Sequence, residues 1–406
     1  YRFRSDEYVS TIPSSTAKAG GGRGVLTNGV FLTAPFQLRS DVELHIAADA
    51  TLRGSSDLAD YSEWKVVKGI ADHDALPRMR NACLMLADCV TNVAVTGKGT
   101  IDANGRSFVR EKTGDWSGWQ FERTVDPTKS MPRVCFFVGC RGVKVEDVTL
   151  INGPAGWSYW ISDCDRVLVE GLRIHASVFY PNNDGVHVNS SRDVLVRNCD
   201  IECGDDAIVM RANNVSLPVN KVCERMVVSN CVLRSYANGI RIGWINDGVI
   251  RNGLFRDIRI RKSTNGIGLV LPPPFTPSDV GREATRFENL TFENIVMDDI
   301  YIRPVVCTID SGEATRFDAF ENIVFRNIDL DVEAGGCPSE PVPELEPGGE
   351  LKGIWHSIFP SFGFYLRHAD DVRFENVRIH PRNRDKRDLL KVVDCTDVDA
   401  SGLTEY

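Results

Sequence analysis

The chain has 406 residues, of which 42% are hydrophobic and 25% are charged, and its formal net charge is −9. A net acidic chain argues against nucleic acid, whose binding requires basic patches, and no apolar run approaches the roughly 18 residues of a membrane span. We therefore expect neither nucleic acid nor a membrane as a partner. No signal peptide is evident, but the chain starts at Tyr1 rather than Met, so a leader could precede it.

Short segments that alternate apolar and polar residues recur along the chain, as in strands with one buried face. The steps between their first apolar residues are 24 to 33 residues, which fits a coil of three short strands and three turns. The pattern predicts an all-β fold, a single right-handed parallel β-helix, with residues 1–406 in one domain. The landmarks are Val143, Val167, Val194, Met226, Ile258, Leu290 and Ile323.

Asparagine closes many of these strands. Asn tolerates the left-handed backbone conformation and can hydrogen-bond to the neighbouring coil, so we expect a turn at each of these positions. They are Asn198, Asn230, Asn294, Asn327 and Asn376.

Two stretches interrupt the repeat and are predicted to be inserted loops. Residues 98–134 carry Trp116, Trp119 and Phe121, and residues 335–352 are rich in Gly, Pro and Glu. Solenoids place substrate-binding walls on such loops. For residues 335–352, a surface loop without a role is an equal alternative.

Several of the twelve cysteines occupy one repeated place, three or four residues before the first apolar residue of a strand. This placement predicts small buried thiols rather than disulfides. The composition is typical of a secreted or periplasmic protein, and cysteine usage leaves a cytoplasmic location open. The repeated cysteines are Cys89, Cys140, Cys164, Cys223 and Cys395.

Two acidic clusters lie about one coil apart, Asn182-Asn183-Asp184-Gly185 and Gly204-Asp205-Asp206. Neighbouring coils would bring three carboxylates together, which is unfavourable because like charges raise each other's pKa. Glycosidic bond cleavage is the commonest chemistry that needs such a cluster. The structural alternative is that these aspartates only hydrogen-bond to turns.

Asp206, Asn238 and Val270 each lie twelve residues after a landmark of three successive coils. The shared offset predicts that they stack on one face, about 4.8 Å apart per coil. We expect Asp184, Asp205 and Asp206 to converge in the same groove.

The two acidic motifs on a parallel β-helix resemble glycoside hydrolase family 28, the polygalacturonase-like enzymes, over roughly residues 20–400. The family carries Asn-Thr-Asp where this chain has Asn183 in place of Thr. The resemblance implies an inverting hydrolase without metal or cofactor. Asp205 would be the general acid, and Asp184 and Asp206 would hold and deprotonate water.

The chain departs from the family at two cationic motifs. The family's Gly-His-Gly aligns with Ala237-Asn238-Gly239, and its Arg-Ile-Lys, which grips the galacturonate carboxylate, aligns with Gly268-Leu269-Val270. Losing these cations removes charge-assisted hydrogen bonds to a uronate. The chain is thus a divergent member, with a neutral or atypical sugar expected at the scissile position.

Further side chains are predicted to bind substrate. Arg241 and Arg211 could replace the lost cations, and Trp157, Tyr159 and Trp160 could stack on sugar rings or pack inside the coil. His187 and Arg303 are cleft candidates, with a purely structural role open for the histidine. The predicted substrate-binding residues are Asn182, Asn238, Arg241, His187, Arg211 and Trp244.

The leading hypothesis is an inverting hydrolase of a plant-type pectic polysaccharide or its oligosaccharides. One alternative is a β-helix lyase or epimerase acting on uronates, usually with Ca²⁺ and a basic residue. Another is a carbohydrate-binding solenoid that cuts nothing. The sequence leaves the linkage, endo or exo action and the oligomeric state open.

Overall fold

The computed structural model describes residues 20–61, 82–113, 120–124, 132–213, 221–244, 247–271, 286–300, 307–310, 320–334 and 361–406. The chain is all-β, a right-handed parallel β-helix, as predicted. The only helices in these ranges are two short 3₁₀ turns, Leu58–Asp60 and Gly105–Phe108. None of the described helices has the length and apolar character of a membrane span. Two compact units are distinguished, Tyr1–Asp205 with Ser216–Pro218, and Asp206–Val215 with Val219–Tyr406.

The first unit consists of three ladders of parallel strands. The first ladder contains Gly22–Leu26, Val42–Ile46, Thr91–Thr96, Arg141–Glu146, Asp165–Glu170 and Arg192–Arg197. The second contains Gly29–Thr33, Ala50–Gly54, Thr100–Asp102, Thr149–Ile151, Arg173–His175 and Asp200–Cys203. The third contains Phe36–Leu38, Cys83–Asp88, Arg133–Val138, Tyr159–Ser162 and Val186–Asn189.

Apolar residues on alternate positions of these strands form the core. Val143 pairs with Val167, and Val167 pairs with Val194, so the predicted spacings of 24 and 27 residues between equivalent strand positions are confirmed. All three are at most 3% exposed.

The first predicted insertion is shorter than expected. Thr100–Asp102 is a rung of the second ladder, so the inserted segment begins after Asp102. It contains an antiparallel pair, Val109–Glu111 with Phe121–Arg123. Trp116, Trp119 and residues 335–352 lie outside the described residues.

The second unit combines long and short parallel strands. The long strands are Cys223–Ser235, Val249–Arg261, Arg286–Ile300, Phe320–Ala334 and Ala369–Asn383, and the last of them pairs with Thr396–Asp399 and Leu403–Glu405. The short strands are Ile208–Arg211, Asn238–Ile242, Asn265–Val270, Cys307–Asp310, Ser361–Arg367 and Asp388–Val393.

The predicted asparagine turns are confirmed. All five asparagines have left-handed φ values between 50° and 59°. Their side chains also connect coils: Asn327 Nδ2 donates to Asn294 Oδ1 at 3.2 Å, and Asn376 Nδ2 donates to Asn327 Oδ1 at 3.0 Å.

The predicted register of Ile258 is wrong. Met226 pairs with Gly253, 27 residues on, whereas Ile258 pairs with Cys231 and Ile295. The long strand Val249–Arg261 turns at two left-handed positions five residues apart, Asn252 and Asp257. An alternating segment follows each turn, so the sequence alone does not distinguish the first corner from the second.

The ten cysteines with described side chains are thiols rather than disulfides, as predicted. Cys140, Cys164 and Cys223 are buried, but Cys395 is only half-buried and Cys89 is exposed, so the expectation of burial is wrong for Cys89 and met only in part at Cys395. Cys89 occupies a left-handed corner (φ 53°), where the side chain leaves the coil interior.

Candidate active site

Asp184 lies in the first unit, two residues before the strand Val186–Asn189, and is 3% exposed. Its Oδ2 lies 2.9 Å from Nδ1 of His187. An ionised carboxylate only accepts hydrogen bonds, so Nδ1 carries the hydrogen in this pair. The imidazole stacks on Trp157, with ring centroids 3.8 Å apart and planes 15° apart. A histidine whose ring is itself fixed by an indole therefore orients Asp184.

The strand alternation explains how His187 reaches this position. Val186 and Val188 are fully buried in the coil, so His187 points to the opposite face of the strand. There it lies in register with Trp160 of the neighbouring strand. The sequence offered His187 as a cleft candidate with a structural role left open; the structure brings it to Asp184 and stacks it on Trp157, and neither contact was predicted.

Asp205 ends the main segment of the first unit and is 6% exposed. Its Oδ2 accepts hydrogen bonds from the backbone N–H of Asn182 at 3.0 Å and from Asn182 Nδ2 at 3.2 Å. Arg123 donates to Oδ1 of the same asparagine and, through Nε, to the carbonyl of Ala155 at 3.2 Å. Arg123 lies in the insertion, 59 residues before Asn182. Sequence reasoning missed it because no local pattern connects residues so far apart.

Asn183 stabilises the bend that leads into Asp205. Its Nδ2 donates to the carbonyl of Ser177 at 2.8 Å, and its Oδ1 accepts from the N–H of Gly204 at 2.6 Å. A Cβ at Gly204 would lie 2.2 Å from the carbonyl oxygen of Tyr180, so only glycine fits there. Asn183, which stands where the family has Thr, is thus a fully buried structural residue.

Asp206 begins the main segment of the second unit and is 6% exposed. Its Oδ1 accepts hydrogen bonds from the backbone N–H of Asn238 at 3.2 Å and from Asn238 Nδ2 at 2.6 Å. Its Oδ2 accepts from Arg241 at 3.3 Å. The predicted stacking of Asn238 on Asp206 is confirmed.

Arg241 is 5% exposed and has three partners. Besides the ion pair with Asp206, its Nε donates to the carbonyl of Gly243 at 3.0 Å. Its guanidinium carbon lies 3.9 Å from the ring centroid of the half-buried Trp244, which is a cation–π contact. The structure thus places Arg241 and Trp244 together, with the positive charge countered by Asp206.

The predicted position of Val270 beside Asn238 is wrong. Asn238 pairs with Asn265, 27 residues on, and Asn265 Nδ2 donates to Asn238 Oδ1 at 2.9 Å. The error has the same origin as that of Ile258, because Val270 was counted from Ile258, which follows the second left-handed turn of its strand and not the first. Val270 is the last residue of Asn265–Val270 and is 5% exposed.

Gly268, aligned with the lost arginine of the family motif, pairs with Arg241 of the preceding short strand. A Cβ at this position would lie 2.8 Å from Asn238 Oδ1 and 3.5 Å from Asn265 Nδ2. The two amides therefore block the direction that a side chain would take from residue 268.

Arg211 forms a buried ion pair with Asp247, which sequence reasoning did not identify. Its Nε lies 2.9 Å from Oδ1 and 2.7 Å from Oδ2 of a carboxylate that is 1% exposed. The charge of Arg211 is therefore countered within the second unit, as is that of Arg241.

Three of the aromatic candidates are packed in the protein. Tyr159 is fully buried, and burial raises the pKa of its phenol well above the ordinary value. Trp157 and Trp160 belong to one buried cluster, in which Trp160 stacks on Phe136 with centroids 3.8 Å apart. The alternative of packing thus applies to all three, while Arg303 lies outside the described residues.

Within the described part of the chain, no three or more His, Cys, Asp or Glu side chains are grouped so that they could hold a metal ion.

Residues 62–334, more than half of the chain, match the sequence model of the family described as glycosyl hydrolases family 28. The chain belongs to glycosyl hydrolases family 28. Over 262 residues it is 26% identical to a probable polygalacturonase of Vitis vinifera, covering 63% of this chain and 50% of that protein. Over 342 residues it is 23% identical to an endo-polygalacturonase of Pectobacterium carotovorum subsp. carotovorum, covering 80% and 78%.

Solved structures of family 28 show the same fold. A hyperthermoactive exopolygalacturonase from Thermotoga maritima superposes with a TM-score of 0.63 at 20% identity, over 95% of this chain and 86% of that one. The chain spans about half the length of the Vitis vinifera protein that it matches. Its own substrate and reaction are therefore argued from the site.

Proposed function

We propose that this family 28 chain is an inverting glycoside hydrolase of pectic polysaccharides or their oligosaccharides. Asp205 protonates the glycosidic oxygen as the general acid. Asp184 and Asp206 hold a water molecule and remove its proton as it attacks the anomeric carbon from the opposite side. The expectation of a secreted or periplasmic location stays a prediction.

The observation that carries this proposal is the pairing of Asp205 with the segment that contains Asp184. The Asp205 carboxylate binds the backbone N–H of Asn182, two residues before Asp184. Two residues of extended chain span at most about 7 Å. That length is comparable to the roughly 6.5–9.5 Å that separates the carboxyls of an inverting pair.

The different surroundings of Asp184 and Asp206 support their role on the water side. Asp184 contacts an imidazole, and Asp206 contacts Arg241 and an amide. These partners orient the two carboxylates, as the removal of a proton from a bound water requires. Asp205 is held differently, by the backbone N–H and the side-chain amide of Asn182, which fix the direction of its carboxyl group.

The second unit supports a neutral or atypical sugar at the scissile position. The charge of Arg241 is already countered by Asp206, and its Nε is bound to the carbonyl of Gly243, so this guanidinium is a weaker site for a uronate carboxylate than an unpaired cation. At the position of the lost lysine, Val270 offers only apolar surface. Leaving a buried carboxylate unpaired is strongly unfavourable, so a hydroxyl-bearing neutral ring fits these residues better.

The experiment is a substrate screen with product analysis. The purified chain is incubated with polygalacturonate, with pectic backbones that alternate uronate and neutral sugars, and with neutral pectic side chains. We expect hydrolysis of a substrate that contains neutral sugar, with polygalacturonate slower by orders of magnitude. Asp205→Asn is the matched inactive control.

Other outcomes would contradict the proposal. Products that absorb in the ultraviolet, formed by an activity that a chelator removes, would identify a lyase. Oligosaccharides that bind but are never cut, with binding unchanged in Asp205→Asn, would identify a binding solenoid. Efficient hydrolysis of polygalacturonate that vanishes in Arg241→Ala would show that Arg241 replaces the lost cations after all.

A further inference from the structure

Three side chains of the second unit form a linear chain of hydrogen bonds that ends at Asp206. Asn265 Nδ2 donates to Asn238 Oδ1 at 2.9 Å, and Asn238 Nδ2 donates to Asp206 Oδ1 at 2.6 Å. All three residues are 5–6% exposed. We call this chain of bonds the amide relay.

The direction of the amide relay is set by its carboxylate end. Ionised Asp206 can only accept, so Asn238 must present its NH₂ group to Asp206 and its carbonyl oxygen to Asn265. Asn265 must then present its NH₂ group to Asn238. Its own Oδ1 is buried and has no hydrogen-bond partner among the described residues. The orientation of Asn265 is therefore dictated by the relay and not by a second partner of its own.

The backbone opposite the relay leaves room for it. A Cβ on residue 268 would lie 2.8 Å from Asn238 Oδ1, the atom that receives the hydrogen bond from Asn265. Glycine at this position allows the two amides to meet at hydrogen-bond distance. The strand pairing of Asn238 with Asn265 supplies the alignment.

The first unit contains a similar arrangement around Asp205. Asn182 donates both its backbone N–H and its Nδ2 to Asp205, as Asn238 does to Asp206. Its Oδ1 accepts from a further donor, Arg123, as that of Asn238 accepts from Asn265. The same order of donors and acceptors thus occurs twice, which favours a role for the order itself rather than for packing alone.

We propose that Asn265 is a positioning residue that fixes the hydrogen-bond polarity of Asn238 and thereby keeps two donors on Asp206. The effect of Asn265 on catalysis rests on the proposed function, in which Asp206 helps to hold and deprotonate water. The effect of Asn265 on the hydrogen bonds of the amide relay is independent of that function.

The activity test compares Asn265→Ala with Asn265→Asp. Alanine removes one donor, and we expect kcat to fall about tenfold with KM little changed. Aspartate has the shape of asparagine but only accepts, so acceptors then flank the Asn238 amide on both sides and its NH₂ group can serve only one of them. We expect a larger loss of kcat in Asn265→Asp than in Asn265→Ala. An equal or smaller loss in Asn265→Asp would overturn the proposal, because the polarity of the hydrogen bond from residue 265 would then not matter.

The stability test separates the relay from the proposed function, since it needs no substrate. Asn265→Asp should lower the denaturation midpoint. The double variant Asn265→Asp/Asp206→Asn should recover most of that loss, because the relay can then run in the reverse direction. Additive effects of the two substitutions would overturn the proposal, even if the chain hydrolysed nothing. Recovery in the double variant of a chain without hydrolase activity would instead support the relay and reject the proposed function.

Asn322→Asp is the matched control. Asn322 Nδ2 donates to Asn289 Oδ1 at 2.7 Å on the solvent-exposed side of the coils, away from the candidate residues. Water can replace that hydrogen bond, so we expect kcat and the denaturation midpoint to stay near those of the unmodified chain. An effect as large as that of Asn265→Asp would mean that any reversed amide pair disturbs this fold, and would overturn the specific role of Asn265.

Discussion

Arg241 is expected to stabilise the second unit as the counter-ion of Asp206, and a double-mutant cycle tests this role. The two side chains are 6% and 8% exposed, and Nη1 of Arg241 lies 3.3 Å from Oδ2 of Asp206. Removing one member of a buried ion pair leaves an uncompensated charge and typically lowers the free energy of unfolding by about 3–5 kcal/mol. We expect Arg241→Met to fall in that range, including the loss of the contact with Trp244.

Asp206→Asn should compensate for much of this loss. An asparagine carries no charge, so the double variant Arg241→Met/Asp206→Asn leaves no unpaired ion. We expect a coupling energy of about 2–3 kcal/mol between the two positions. The assay is unfolding in urea followed by fluorescence, with the free energy taken by linear extrapolation. A loss below about 1 kcal/mol in Arg241→Met, or effects of the two substitutions that add within about 0.5 kcal/mol, would show that Arg241 is not the counter-ion that stabilises Asp206.

Two further predictions concern Asp205 and Arg123, the arginine that donates to the asparagine bound to Asp205. Asp205→Asn should lower turnover by about 10²–10⁴-fold, because the amide has no proton to give to the leaving group. The denaturation midpoint should stay equal or rise, because the amide oxygen still accepts from Asn182. Near-native turnover would show that Asp205 is not the general acid. Arg123→Met should lower kcat/KM about tenfold because Asn182 loses the donor that orients its amide, and Arg123→Gln, which can still donate, should retain more activity. Equal losses in the two Arg123 variants would show that the charge or the packing of Arg123, and not its hydrogen bond, is what matters.

The coil fold could be predicted from the sequence because its signals are local. The alternation of each strand and the asparagine that ends it lie within a few residues, as at Asn294 and Asn327. The register between coils was harder to predict, since it depends on which of two similar corners starts a strand. Ile258 follows the second corner and was assigned to the first, and the error in Val270 followed from that.

Parts of the candidate site depend on contacts that no local pattern reports. Arg123 reaches Asn182 from an insertion, and Asp247 binds Arg211 across 36 residues. Asn265 did leave a signal, because Asn265-Gly266-Ile267 repeats Asn238-Gly239-Ile240 one coil later. Comparing these tripeptides would have given the correct pairing directly.

Asp184, Asp205 and Asp206 are proposed to carry out inverting hydrolysis of a pectic glycan. The most direct measurement is proton magnetic resonance of the first product formed from the best substrate of the screen, recorded before its anomers equilibrate. We expect a new reducing end with the anomeric configuration opposite to that of the cleaved bond, and no such product from Asp205→Asn. A product that retains the configuration, or one with an unsaturated sugar at its non-reducing end, would contradict the proposal.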